Sequence, residues 1–228
     1  MANNSNNNEV ILLDFWASPY GMRAKIALAE KGVTYQRIEQ DLQNKSELLL
    51  SMNPVYKCIP VLIHNNKPVC ESLFVVQYID EVWNQNNTFL LPSESYLRAQ
   101  ALFWADFIDK KVYESGKRII LNKKGAAEQE SAKKEFLEQL TLLEKMLGDE
   151  TYFGGDVFGY VDISLIPLYN WFYTIQKSAK FNIQDSCPKI IKWAERCIQR
   201  ESVSKSLTDE NKIYEYLCDL KIRLGIHE

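Results

Sequence analysis

Histidine is nearly absent from this chain: two in 228 residues, His64 beside a turn and His227 next to the end. Metal clusters and Ser-His-Asp triads need imidazole at defined places, so both classes are disfavoured. The five cysteines (Cys58, Cys70, Cys187, Cys197, Cys218) are an odd number without C-x-x-C spacing. They form neither a disulfide framework nor a zinc pattern, and reduced, mostly buried thiols are expected. Long apolar runs are missing too. The longest are about six residues, where a membrane span needs about 20. No charge of one sign dominates, since 27 Lys and Arg face 30 Asp and Glu. That balance argues against a nucleic-acid binder. There is no Walker A motif and no G-x-G-x-x-G. The start, "MANNSNNN", lacks the basic and apolar regions of a signal peptide. It reads as a disordered tail over residues 1–8, and the protein as cytosolic, with no membrane and no nucleic acid among its partners.

What is present is a globular composition, 46% hydrophobic with 25% charged residues, in a chain long enough for two modest domains. Residues 9–84 alternate in character. Val10–Phe15 is a continuous apolar run and reads as a buried strand. Pro19–Lys31 reads as a helix closed by Gly32. Tyr35–Glu39 alternates as a second strand, and Lys45–Met52 is a short helix stopped before Asn53-Pro54. Ile59–Ile63 is a third strand, joined through an Asn65-Asn66 turn to a fourth at Pro68–Cys70. Ser72–Trp83 carries helical spacing. The order is β-α-β-α-β-β-α. Residues 85–95 are polar and proline-containing and read as a linker. From residue 96 to 228 nearly everything has helical period, so the fold class is an α/β N-terminal domain followed by an all-α C-terminal domain.

Ser18 stands between the first strand and the first helix, followed by Pro19. That fits an N-cap with proline at the first helical position. It equally suits a hydroxyl aimed at an anion over the positive helix end. Gly21 at the third helical position rules out a reciprocal capping box. Ser72 reads as the N-cap of the third helix. Alternatively, that helix start offers free N–H groups to a ligand carboxylate while Glu71 accepts from a ligand ammonium. Pro60 opens a strand. A trans bond is the commoner form there, and a cis bond would turn the Ile59 backbone outward, toward an extended peptide. Asp162, in "FGYVDISL", reads as structural: Gly159 is the N-cap and Asp162 the third helical residue.

These features share one small unit, and the residues that carry them resemble the plant tau class of glutathione transferases. The matching stretches include "LLDFWASPYGMR", "DLQNKSELLL", "ESL", "FWADFIDKKVY", "TYFGGDVFGYVDIS" and "CPKIIKWAERC", running from about Glu9 to the end of the chain. The resemblance implies a thioredoxin-like N-terminal domain, glutathione as co-substrate without a metal, a homodimer, and roles in detoxification and stress response. It makes Ser18 the catalytic residue, donating its hydroxyl to the glutathione sulfur. Lys45 would hold the glycine end, the Ile59 backbone the cysteinyl part beside a cis Pro60, and Glu71 and Ser72 the γ-glutamyl end. Tyr20, Tyr113, Lys117 and Trp171 would line a pocket for a hydrophobic electrophile, with the helical domain carrying that site.

One position departs from the family pattern. Where tau-class chains usually carry lysine before the Ile-Pro pair, this chain has Cys58. A lysine there would contact the glycine carboxylate, so Cys58 is expected to weaken glutathione binding or to be redox active. The expected function is conjugation of glutathione to hydrophobic electrophiles, with a peroxidase side activity. The alternative is a carrier of hydrophobic plant metabolites with weak or no turnover.

Overall fold

The computed structural model describes residues 9–84 and 89–226. The tail expected at residues 1–8, residues 85–88 of the expected linker, and His227 lie outside the described residues. The chain divides into two compact units, Met1–Thr88 and Phe89–Glu228.

The first unit holds strands β1 (Val10–Asp14), β2 (Gln36–Glu39), β3 (Val61–His64) and β4 (Lys67–Cys70). Its helices are α1 (Pro19–Glu30), α2 (Glu47–Met52) and α3 (Ser72–Val82). The sheet order is β2-β1-β3-β4, with β1 parallel to β2 and antiparallel to β3, and β4 antiparallel to β3. Pro60 lies before β3 rather than opening it, because pairing with β4 begins at Val61 opposite Cys70. The hairpin turn is tight: Asn65 and Asn66 both take positive φ, 50° and 63°, a geometry that asparagine tolerates better than most residues.

Strand alternation divides the apolar side chains between two faces. Leu13, Val61 and Ile63 pack with Leu49 of α2 on one face. Leu12 and Asp14 point to the other, where Asp14 meets Gly21 of α1. Helices α1 and α3 pack together. Lys31, just past α1, forms an ion pair with Asp80 of α3 at 2.7 Å, and both side chains are buried.

The second unit begins earlier than the sequence suggests. Residues 89–95 are not all linker, because Leu90 and Leu91 are buried and the Leu90 carbonyl accepts from Tyr160 N at 2.8 Å. The helical period expected from residue 96 begins as α4 (Ser95–Phe107), a π-helical segment at Ile108–Tyr113, and α5 (Glu114–Ile120). Then come α6 (Ala126–Leu147), α7 (Tyr160–Tyr169) and α8 (Phe172–Ala179), followed by α9 (Pro188–Ile198), α10 (Glu201–Ser204) and α11 (Glu210–Arg223). Gly116 lets α5 approach α8: a Cβ there would lie 3.1 Å from Ile175 Cδ1. Among the described residues, no helix is long and apolar enough to cross a membrane.

Asp162 is structural, as its position implied. It is fully buried and accepts from Trp193 Nε1 at 2.7 Å, Gly159 N at 2.9 Å and Phe153 N at 3.1 Å. Burial pushes its carboxyl up to about 6, against the pull of those three donors. The folded value lies above the unfolded one, so the native state holds this proton more tightly. The resulting stabilisation is complete below about pH 4 and is lost as pH rises through about 6. The unfolding free energy of the wild type relative to Asp162→Asn should therefore fall by about 3 kcal/mol between pH 4 and pH 7. Denaturant titrations at several pH values check this, and a constant difference would mean Asp162 stays ionised throughout.

Candidate functional site

Ser18 sits in the β1–α1 connection with φ −72° and ψ 117°, followed by Pro19 as the first helical residue. Its oxygen accepts the Gly21 N–H at 3.2 Å, so it caps α1. Capping occupies a lone pair and leaves the hydroxyl proton uncommitted. Ser18 makes no hydrogen bond as a side-chain donor among the described residues, and it is only 8% exposed. The two readings of this serine are therefore compatible: one oxygen caps the helix while its proton remains available to an anion.

The start of α3 differs from the sequence reading. Glu71, not Ser72, occupies the N-cap position, and it makes no side-chain cap bond. Glu71 has φ 69°, uncommon for a residue with a Cβ. Its carboxylate is exposed. Ser72 is the first helical residue, and its buried hydroxyl accepts from Arg23 Nη1 at 3.1 Å. Arg23, 2% exposed, thereby ties α1 to α3. Its guanidinium also lies 5.1 Å from the centre of the Tyr20 ring.

Between α2 and β3 the chain is shaped by Asn53. The buried Asn53 side chain accepts from Tyr56 N at 3.1 Å and donates to the Cys58 carbonyl at 2.9 Å. The Ile59-Pro60 bond is cis. The Ile59 backbone makes no hydrogen bond among the described residues. Cys58 is exposed as a residue, yet partial burial of its thiol pushes the pKa up. Glu71 adds to that rise, while Lys45 and the Asn53 amide pull against it. Lys45 and Glu71 thus both act on the Cys58 thiol, and Ser72 follows Glu71 directly. Ser18 caps α1, the helix whose Arg23 bonds Ser72.

The remaining expected site residues belong to the second unit. Tyr113 ends the π-helical segment and is half-buried. Lys117, one turn further along α5, pairs with Glu114 at 3.7 Å with both side chains about half exposed (50% and 52%). Trp171 precedes α8, and its indole N–H is buried without a partner among the described residues. Since α5 packs on α8, all three residues lie on neighbouring elements. Among the described residues no group of His, Cys, Asp and Glu could hold a metal ion.

Sequence reasoning missed Arg23 and Asn53. Arg23 reads as an ordinary charged helix residue, and its partner lies 49 positions away. Asn53 announces itself only as the residue before a proline.

Comparison with known proteins agrees along the whole chain. Residues 8–81 match the family Glutathione S-transferase, N-terminal domain, and residues 92–201 match Glutathione S-transferase, C-terminal domain. Glutathione S-transferase U25 of Arabidopsis thaliana is 59% identical over 219 residues, covering 96% of this chain and 98% of the relative. The probable glutathione S-transferase parC of Nicotiana tabacum is 54% identical over 220 residues, covering 96% and 99%. Among solved structures, rice GST1 in complex with glutathione superposes with a TM-score of 0.90 at 41% identity, covering 96% of this chain and 99% of that one. The tau-class glutathione S-transferase of mango, Mangifera indica, gives 0.87 at 39% identity, covering 93% and 98%.

The raised Cys58 thiol has a measurable consequence. Access does not limit its alkylation, so ionisation does. At pH 7 iodoacetamide should label Cys58 more slowly than it labels free glutathione. The rate should climb by up to about tenfold per unit of pH through pH 8. Mass spectrometry of the labelled peptide checks both, and a fast, flat profile would mean the thiol is already ionised at neutral pH.

Proposed function

A chain that belongs to the glutathione S-transferase family, with tau-class enzymes among its relatives, transfers glutathione, and we propose that Ser18 generates the reactive thiolate. The observation that carries this reading is the cap: the Ser18 oxygen takes the Gly21 N–H and keeps its own proton to donate. Ser18 is then not the nucleophile. It stabilises the glutathione sulfur, which is.

A free thiol ionises near 8.5, leaving about 3% thiolate at pH 7. Lowering that value by two units takes roughly 2.7 kcal/mol and makes about three quarters of the sulfur thiolate. A hydroxyl donor to an anion, together with the α1 N-terminus, supplies energy of that size. The thiol proton leaves to solvent. The thiolate attacks an electrophilic carbon and forms a thioether as the leaving group departs. With an organic hydroperoxide it attacks the terminal oxygen instead: the O–O bond breaks, the alcohol leaves, and the resulting glutathione sulfenic acid condenses with a second glutathione to the disulfide and water, a peroxidase side activity.

Glutathione lies along the edge formed by Lys45, Ile59, Glu71 and Ser72. Lys45 meets the glycine carboxylate, and its exposed ammonium supports that role. The Ile59 backbone, beside Pro60, pairs with the cysteinyl residue, supported by its unused hydrogen-bonding groups. Glu71 takes the γ-glutamyl ammonium. Ser72, fixed by Arg23, takes the carboxylate at the positive end of α3. Cys58 cannot supply the charged bond of a lysine, worth about 1.5–3 kcal/mol. Within the second unit, Tyr113, Lys117 and Trp171 line the site of the hydrophobic electrophile. Homodimerisation is supported by the exposed apolar side chains of Phe74, Tyr96, Leu97 and Phe103. Five free thiols support a reducing, cytosolic setting.

The test is conjugation of a chlorodinitrobenzene-type electrophile as glutathione is titrated. Ser18→Ala should cut turnover by more than about tenfold, the scale of one lost hydrogen bond to a charged group, while circular dichroism stays unchanged. Wild-type turnover in that variant would overturn the Ser18 assignment. No turnover in folded wild type would favour the carrier reading. In the same titration Cys58→Lys should tighten glutathione by roughly tenfold or more. An unchanged constant would mean that other groups already satisfy the glycine end.

A further inference from the structure

Asp14, at the end of β1, is fully buried, and its Oδ1 has no hydrogen-bond partner among the described residues. Its Oδ2 lies 3.1 Å from Arg37 Nε and 3.9 Å from Lys25 Nζ. A carboxylate oxygen left without a donor in the interior is costly, so its position needs a reason. That reason is its neighbour. A Cβ built on Gly21 would come within 1.6 Å of Oδ1 and 2.6 Å of Cγ. Gly21 lies within a regular helix, so space and not backbone conformation demands glycine there. Gly21 is also the residue whose N–H the Ser18 oxygen caps.

The chain around Asp14 is held from several sides. Gln40 N donates to the Asp14 carbonyl at 2.8 Å, Trp16 N donates to Glu39 Oε1 at 2.8 Å, and Arg37 bonds both Asp14 and Glu39. The strand end that carries Asp14 is therefore a fixed platform against which the first turn of α1 rests.

We propose that Asp14 is a positioning residue for thiolate formation: its Oδ1 props the Gly21 backbone, which keeps the Gly21 N–H on the Ser18 oxygen and the Ser18 proton turned out toward the glutathione sulfur. This rests on the reading of Ser18 given above. The contact is one of shape, so an uncharged side chain of the same shape serves as well. The charged and titratable groups facing Asp14 are Lys25 from α1, Arg37 and Glu39 from β2, and Tyr35 just before β2. If Asp14 acted through its negative charge alone, removing it would let the bound thiol ionise at lower pH. If it acts by positioning, removing it weakens the Ser18 hydrogen bond and moves that ionisation to higher pH.

The experiment measures kcat, the glutathione KM and the pH profile of kcat for Asp14→Asn, Asp14→Ala, Gly21→Ala and the double variant Asp14→Ala/Gly21→Ala. Asp14→Asn should stay within about threefold of wild type. Asp14→Ala should lose about tenfold or more in kcat with little change in KM, its profile displaced to higher pH. Gly21→Ala should lose as much, by collision with the carboxylate. The double variant should exceed both singles, because the added methyl fills the space the carboxylate leaves. Three results would overturn the proposal: wild-type kcat in Asp14→Ala, a profile displaced to lower pH, or a double variant no better than Gly21→Ala. The last comparison decides even if Asp14→Ala does not fold. Loss of function in Ser18→Ala alongside any of these would leave the Ser18 reading standing. Wild-type turnover in Ser18→Ala would remove both.

Discussion

A hydroxyl oxygen offers two lone pairs and one proton, and the first turn of α1 depends on that count. The Gly21 N–H takes a lone pair of Ser18, which satisfies one of the donors that every helix leaves open at its start. The proton survives the transaction. Had the hydroxyl instead donated to a backbone carbonyl, as serines inside helices commonly do, the same residue would cap nothing and offer nothing. Capping a helix and donating to an anion are thus compatible uses of one hydroxyl, and the cap bond leaves the second open.

Helices α1 and α3 are joined at both ends. Near their starts, Arg23 reaches from α1 to the Ser72 hydroxyl. Near their ends, Lys31 meets Asp80 with almost no solvent between them. Removing one member of such a buried pair leaves the other charge stranded, at a cost of about 3–5 kcal/mol. α1 and α3 therefore behave as one body. The thiol of Cys58 stands in contrast to this charged scaffold. It is exposed as a residue, yet partial burial and the charge of Glu71 keep it the more firmly protonated, against the pull of Lys45.

What could be read from the sequence was local. Gly32 past the end of α1, the Asn65-Asn66 turn and the Gly159–Asp162 helix start each declare themselves within a few residues, because the backbone angle or cap they provide is needed on the spot. The helix boundaries shifted by a residue or two where a cap and a first helical residue exchange places, as at Glu71 and Ser72. What could not be read was pairing across distance. Arg23, Asn53, Lys31 and Asp14 look like ordinary surface or turn residues until the fold supplies their partners. Glu39 gave no sign that it would receive the N–H of Trp16, 23 residues away. Leu90 and Leu91 were hidden by the polar residues around them, although their own side chains are as buried as any core.

The π-helical segment at Ile108–Tyr113 places more residues in a turn than the α-helices on either side of it. Its length is therefore a matter of counting as well as of chemistry. Each residue of an α-helix turns it by about 100° and advances it by about 1.5 Å. The segment takes in about one residue more than an α-helical stretch of the same turn. Deleting one residue from it would let it relax to α-helix and leave α5 on nearly its present face, with Ser115, Gly116, Ile119 and Ile120 buried as they are now. Deleting one residue inside α5 itself would instead turn everything after it by about 100°. The segment is thus a slot that holds one spare residue: a change of length is absorbed there, while the same change a turn further on moves every side chain that follows.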